Sequence, residues 1–368
     1  MRLIKFEVEN YKNFSKKFTL DLSDVKNYKF NEACISDGVI RESVIYGKNS
    51  VGKTNFTFAL MDIITHLTDK MRFENDRYYL NADSIKKRAI FVYTFKENDD
   101  IIKYKYEKNA TSKLCYEELL INGKELFNYD FLHNKGNVKE LETIEGAENL
   151  NWEFKDIEMS IIRYIANNTP ISKKHPIKQI LQFATKMLWF RSIESNKYIG
   201  YSIVREDILE YIIKNDYVKE FEKFLQEYGV DVKVEVHTTV DGRKSIFFKH
   251  KTLLPFGTAS SGTKALTTFF YWLKQSQDMS LMVIDEFDAF YHFELAEKII
   301  NALKNKLKVQ VILTSHNTGL LSNKIMRPDC YFILTKDGIC SLANATKREL
   351  REGHNLEKLF VSGEFDEQ

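Results

Sequence analysis

The chain of 368 residues is 43% hydrophobic and 29% charged, the balance of a soluble globular protein with length for one large domain or two. Its 54 Lys and Arg stand against 52 Asp and Glu, a net charge of +2, so a global polyanion-binding character is not indicated, although a local basic patch stays open. Cys34, Cys115, Cys330 and Cys340 lack C-x-x-C spacing, so neither a zinc site nor a disulfide framework is suggested. No apolar run nears about 18 residues, so no membrane span is expected, and a reduced, cytoplasmic setting is the default expectation.

The first residues, MRLIKFEVENYKNFSKKFTLDLS, alternate apolar and polar and predict two strands around a polar turn, not a signal peptide. The apolar run SVI at 43–45 reads as a buried strand. YGKNSVGKTNF follows at 46–56, and Gly47 through Gly52, Lys53 and Thr54 fits G-x-x-x-x-G-K-[ST]. Glycines let successive N–H groups turn inward onto phosphate oxygens. Lys53 carries charge to the outer phosphates, and the Thr54 hydroxyl is a ligand for Mg²⁺. The candidate nucleotide-binding set is Gly47, Lys48, Asn49, Ser50, Val51, Gly52, Lys53, Thr54 and Asn55. TNFTFALMDIITHL then predicts a helix whose N-terminus favours an anion.

Residues 88–130 alternate again between turn signals and predict an antiparallel meander. From about Ile161 to Tyr228 the period is helical. Pro176 suits a first helical turn, Ile177, Ile180, Leu181, Ala184, Met187 and Leu188 share one face, and Gly229 closes a second stripe through Val218, Phe221, Phe224, Leu225 and Tyr228. VDVKVEVHTTV and KSIFFKH return to strands. LMVIDEF, KVQVILTSHN and CYFILT, separated by helical stretches, predict βαβ units and a parallel sheet. The expected organisation is α/β with a split core: 1–87 and 231–368 form its halves, 88–150 an antiparallel subdomain, and 151–230 a helical insertion.

Three further stretches carry chemistry. LMVIDEFD at 281–288 ends an apolar strand in an acid pair, with Asp285 suited to support Mg²⁺ and Glu286 to act as general base toward water. VILTSHN at 311–317 ends another strand in His316, on the rim where open α/β sheets bind ligands. FGTASSGTK at 256–264 places Ser260, Ser261 and Gly262 at the start of an apolar helix, an anion-binding N-terminus or an ordinary cap.

The order YGKNSVGKT, FGTASSGTK, LMVIDEFD, VILTSHN resembles an ABC-type ATPase head, matching its Walker A, signature, Walker B and switch-histidine motifs. The resemblance implies an α/β P-loop NTPase of ABC-head architecture, with a split parallel-sheet core, an antiparallel meander and a helical insertion. It is nearer to heads of the RecF, SMC and OLD type than to transporter cassettes, since the signature reads S-S-G-T. The stretches HNTGLLSNKIMRPDCYFIL and REGHNLEKLFVSGEF resemble abortive-infection and OLD-like ATPases of bacterial phage defence.

The resemblance implies ATP and Mg²⁺ held by Gly47, Asn49, Gly52, Lys53, Thr54 and Asp285, with Glu286 as base and His316 sensing the γ-phosphate. It also implies a homodimer in which Ser260, Ser261 and Gly262 contact ATP on the second subunit. Ser50 departs from the family, which often has glycine there. Gln179 and Gln182 are candidates for the family's glutamine loop or surface residues. Asp288 and His292 fall where the family has a subunit-contact loop, or cap the next helix; Lys12 approaches a phosphate or is a solvated turn lysine. About fifty residues follow His316, short for an appended nuclease domain, so a separate effector such as a nuclease is expected. The alternative is a RecF- or SMC-like DNA-maintenance ATPase on duplex DNA, which the near-neutral charge does not favour. A non-hydrolysing scaffold has no use for Glu286.

Overall fold

In the computed structural model, residues 1–68, 70, 78–148, 150–152, 159–191, 198–200 and 207–365 are described. The alternating N-terminal residues form β1 (Arg2–Glu9) and β2 (Phe18–Asp21), with Leu3, Phe6, Val8, Phe18 and Leu20 turned inward. A short hairpin of β3 (Ile35–Ser36) and β4 (Val39–Ile40) leads into β5 (Glu42–Tyr46), buried at every position, and then helix α1 (Lys53–Leu67). The meander is β6 (Ala89–Glu97), β7 (Asp100–Lys108), β8 (Leu114–Ile121), β9 (Lys124–Asp130) and the brief β10 (Lys135–Asn137). It joins the N-terminal strands in one antiparallel sheet ordered β10-β9-β8-β7-β6-β1-β2.

Helices α2 (Ile161–Asn168) and α3 (Pro176–Thr185) follow, with Pro176 in the first turn of α3 as expected. Here one expectation fails. Met187 and Leu188 do not extend the α3 face; they open β11 (Met187–Arg191), which β12 (Tyr198–Gly200) flanks. MLWFR pairs parallel with a strand from the last third, Met187 opposite Leu281 through Arg191 opposite Asp285. Its first four residues are all buried, as in a central strand covered on both faces, and such a short apolar run has no periodicity that separates it from a helix. Parts of the stretch 151–230 lie outside the described residues, but this piece belongs to the parallel sheet and not to a helical insertion.

Helices α4 (Ile208–Lys214) and α5 (Val218–Glu227) come next, and Gly229 takes φ +87 just past α5, the left-handed position that glycine suits. Strands β13 (Val234–Thr238), β14 (Lys244–Phe248) and β15 (Leu254–Pro255) make a separate three-stranded sheet. The remainder first alternates as predicted, through α6 (Ser261–Gln275), β16 (Leu281–Asp285), α7 (Phe293–Lys306) and β17 (Gln310–Ser315). The helix expected before the next strand is replaced by two short 3-10 turns, Thr318–Leu320 and Pro328–Cys330, ahead of β18 (Tyr331–Leu334), β19 (Ile339–Ser341) and α8 (Leu356–Val361). The second large sheet is ordered β12-β11-β16-β17-β5-β18-β19, parallel from β11 to β18.

Helix α1 joins the two sheets and is buried on nearly all sides. Phe56 meets Phe6 of β1, and the Trp189 indole N–H donates to Thr57 Oγ1 at 3.1 Å from the parallel sheet. A charge also sits in this joint. Asp62 accepts from Tyr79 and Tyr106 hydroxyls at 2.8 Å each and from Lys108 Nζ at 2.6 Å. A buried carboxylate needs such partners, and these fasten the helix to the meander. Among the described residues no helix is long and apolar enough to cross a membrane.

Candidate active site

The parallel ladder brings the C-terminal ends of β5, β16, β17 and β11 to one edge, and the loop after β5 caps it. Glycine is required at two points of that loop. A Cβ on Gly47 would stand 2.8 Å from the Leu334 carbonyl oxygen and from Val51 Cγ2, and Gly52, the N-cap of α1, has φ +103 against the Asn13 side chain. Ser50 is also left-handed, at φ +65, which explains why glycine suits this position. Ser50→Gly is therefore expected to stabilise the protein by about 0.5 kcal/mol, the relief of strain outweighing the added freedom of the unfolded chain. A thermal melt checks it, and a lower melting temperature would mean that the Ser50 side chain itself holds the loop.

Lys53 is buried and folds back on its own loop. Its Nζ donates to the Gly47 carbonyl at 2.8 Å and to the Lys48 carbonyl at 3.4 Å, and meets His316 Nδ1 at 3.1 Å. An ammonium has no lone pair, so His316 Nδ1 accepts and its ring proton belongs on Nε2. Burial, and then the charge of Lys53, hold His316 below the usual histidine value and so neutral near pH 7. Burial likewise lowers Lys53, opposed by Asp285, Glu286 and Asp288.

Asp285 is fully buried at the end of β16. Its Oδ2 accepts the Thr54 hydroxyl at 2.8 Å and its Oδ1 the Thr314 hydroxyl at 2.7 Å. Burial raises its pKa, and those two hydrogen bonds pull the other way. Glu286 follows with φ +48, uncommon for a residue with a long side chain, its N–H donating to Thr314 Oγ1 at 2.8 Å. Arg191, at the end of β11, reaches both acids: Nε lies 3.3 Å from Asp285 Oδ2 and Nη2 2.9 Å from Glu286 Oε1. Asp288 accepts from the Ser315 hydroxyl at 2.7 Å and so ties the loop after β16 to the strand that carries His316; burial raises its pKa. His292 is the N-cap of α7 but makes no side-chain capping bond.

A pocket of about 470 Å³ opens here, lined by Asn13, Asn49, Ser50, Gly52, Lys53, Thr54, Asn55, Glu286 and His316. Gly47 and Lys48 contribute carbonyls to Lys53, and Asp285 lies beneath Thr54. Asn55 Nδ2 donates to Asn13 Oδ1. Asn13, Ser50 and Asn55 also line an adjoining cleft of about 860 Å³, where Lys12 is found; Lys12 thus flanks the phosphate loop without lining its pocket.

Ser260, Ser261 and Gly262 are not brought to this pocket. Ser260 caps α6, accepting from the Thr263 N–H at 3.1 Å, while Ser261 opens the helix on the exposed surface. Gln179 is elsewhere too, donating to Glu97 at 3.0 Å from α3, and Gln182 shares that helix, so neither serves the site within this chain. The sequence reading missed Arg191, Asn13 and Thr314. For Arg191 a signal existed: MLWFR, like LMVID and VILTS, is an apolar run ending in a polar residue, the form of a strand that delivers a side chain to the rim.

The family model described as "AAA domain, putative AbiEii toxin, Type IV TA system" matches residues 43–322, from the strand before the phosphate loop to just beyond His316. The chain belongs to this family. It is the abortive-infection ATPase group that the motifs resembled, and P-loop ATPases of this class bind ATP with Mg²⁺. No curated protein matches the sequence.

Solved structures similar in fold include an SMC head bound to the C-winged helix domain of ScpA, at 14% identity, TM-score 0.48, covering 93% of this chain and 97% of that one. The SMC head domain from Thermotoga maritima is 16% identical with TM-score 0.45, covering 93% and 98%. The SMC head with an extended coiled coil bound to the C-terminal domain of ScpA, derived from Pyrococcus furiosus, is 12% identical with TM-score 0.43, covering 92% and 95%.

Proposed function

We propose that the chain hydrolyses ATP with Mg²⁺, pairs with a second copy around the nucleotide, and acts in the cytoplasm as the sensor or regulatory subunit of an anti-phage system with a separate effector such as a nuclease. The observation that carries the hydrolytic reading is the convergence of Lys53, Thr54, Asp285, Glu286 and His316, drawn from three strand ends, around one pocket. The Thr54 hydroxyl and Asp285 carboxylate, 2.8 Å apart, are the hard oxygen donors that Mg²⁺ prefers. Bound there, the ion would supply charge neutralisation at the phosphates.

The chain's own residues do the rest. Lys53 exchanges its loop carbonyls for phosphate oxygens, and the α1 N-terminus adds its dipole. Glu286 accepts a proton from the attacking water, and neutral His316 donates from Nε2 toward the γ-phosphate. The exposed α6 N-terminus with Ser260, Ser261 and Gly262 supports a composite site, since a helix N-terminus suits an anion and none of the three lines this chain's own pocket. The defence role rests on membership of the abortive-infection family.

Two measurements test this reading. Ser261→Arg should bind ATP normally in a filter assay and release phosphate at least about 100-fold more slowly, because its contact is made in trans; unchanged turnover would defeat the composite site. Glu286→Gln protein captured from its native cells with ATP should retain a stoichiometric toxic or nuclease-like protein. Capture of nuclease-sensitive DNA alone would overturn the sensor role in favour of DNA maintenance.

A further inference from the structure

Across the parallel ladder Arg191 is the register partner of Asp285, so its place at the rim is set by backbone pairing and not by a pliable loop. Its guanidinium touches both acids, and the Asp285 oxygen it faces, Oδ2, is the same one that accepts the Thr54 hydroxyl. We propose that Arg191 is a positioning residue that acts as an internal counter-cation: it holds the Asp285–Glu286 pair in the nucleotide-free protein, and a divalent metal must displace it to bind. The inference rests on the reading of Thr54 and Asp285 as the metal site.

The charge balance motivates this role. Two adjacent carboxylates, one wholly buried, repel each other unless a cation lies between them. A guanidinium suits the task because it stays charged and its planar fork lies within ion-pair distance of both carboxylates. The cation that neutralises the pair before nucleotide arrives then opposes a second cation at the same oxygen. The contact with Glu286 matters separately. It draws the carboxylate of a residue in a left-handed backbone toward β11, so the base is released for water only when Arg191 lets go. The consequence is that free metal does not load the site ahead of nucleotide.

The test uses Mn²⁺ alone, titrated into the nucleotide-free full chain and followed by electron paramagnetic resonance. Arg191→Met should bind Mn²⁺ about tenfold more tightly than the wild type, the loss of one charge-assisted contact that the metal no longer has to break. A merely structural role would weaken binding or leave it alone, and either result overturns the proposal. Should Arg191→Met fail to fold by circular dichroism, Arg191→Lys decides. Its single-point ammonium holds the pair less well than the fork, so binding about two- to threefold tighter is expected and unchanged binding overturns the proposal. Adding Asp285→Asn to Arg191→Met should abolish the gained affinity. If tight Mn²⁺ binding survives Asp285→Asn, the metal-site reading itself falls; if Asp285→Asn removes Mn²⁺ binding but Arg191→Met does not strengthen it, only the role of Arg191 falls.

Discussion

Glu286→Gln should bind ATP at least as tightly as the wild type and release phosphate about 10²- to 10³-fold more slowly, the share of the rate that a positioned general base supplies. The amide keeps the shape and hydrogen-bonding reach of the side chain but cannot take a proton from water. The backbone at Glu286 is anchored independently of the side chain, through its N–H to Thr314 Oγ1, so the substitution should leave the left-handed turn in place. It also removes one of the charges that Arg191 faces, and tighter ATP retention should follow. If the nucleotide is the link between two copies, the variant will sediment as a dimer with ATP and as a monomer without it. Phosphate release within a factor of about two of wild type would remove Glu286 from the role of base, because no residual path should be that efficient.

Lys53→Ala should lose ATP binding by at least about 100-fold, since two charge-assisted contacts to phosphate contribute about 1.5–3 kcal/mol each. Here the empty-state geometry sharpens the expectation. Lys53 Nζ already satisfies the carbonyls of Gly47 and Lys48 and meets His316 Nδ1, so the alanine also frees three acceptors at the mouth of the pocket. Those acceptors lie beside open space where water can reach them, and the melting temperature should fall only slightly. His316 provides a second readout. The charge of Lys53, after burial, holds its pKa down, so in Lys53→Ala the His316 resonance should titrate at higher pH than in the wild type. Retained tight ATP binding would sink the phosphate-loop assignment, and an unmoved His316 would sink the contact between the two side chains.

Much of this protein was legible from local patterns. The phosphate loop announces itself because its function needs particular residues at particular spacing: glycine where Gly47 meets the Leu334 carbonyl, glycine again at the positive φ of Gly52, then a lysine and a hydroxyl. The strands of the meander are legible because each has one buried face, and alternation records it. The acid pair and the strand-end histidine are legible because apolar runs ending in polar residues are how parallel sheets present chemistry at their rim. Ser50 appeared as a departure, and its left-handed φ gives that departure its physical meaning.

What the sequence by itself determined, then, is the set of elements with a one-sided environment or an obligatory backbone conformation, and through them the α/β class and the phosphate loop. The tertiary structure decided what depends on neighbours distant along the chain. MLWFR is a strand because β16 lies beside it, and an element buried on both faces leaves no periodic trace to tell it from a helix. Asp62 is tolerated inside α1 because β7 and Tyr79 bring it three donors, which nothing within the helix foretells. Arg191 meets Asp285 and Glu286 for the same reason: strand order is set by long-range packing, and only that order places an arginine about a hundred residues upstream against the acids of the site.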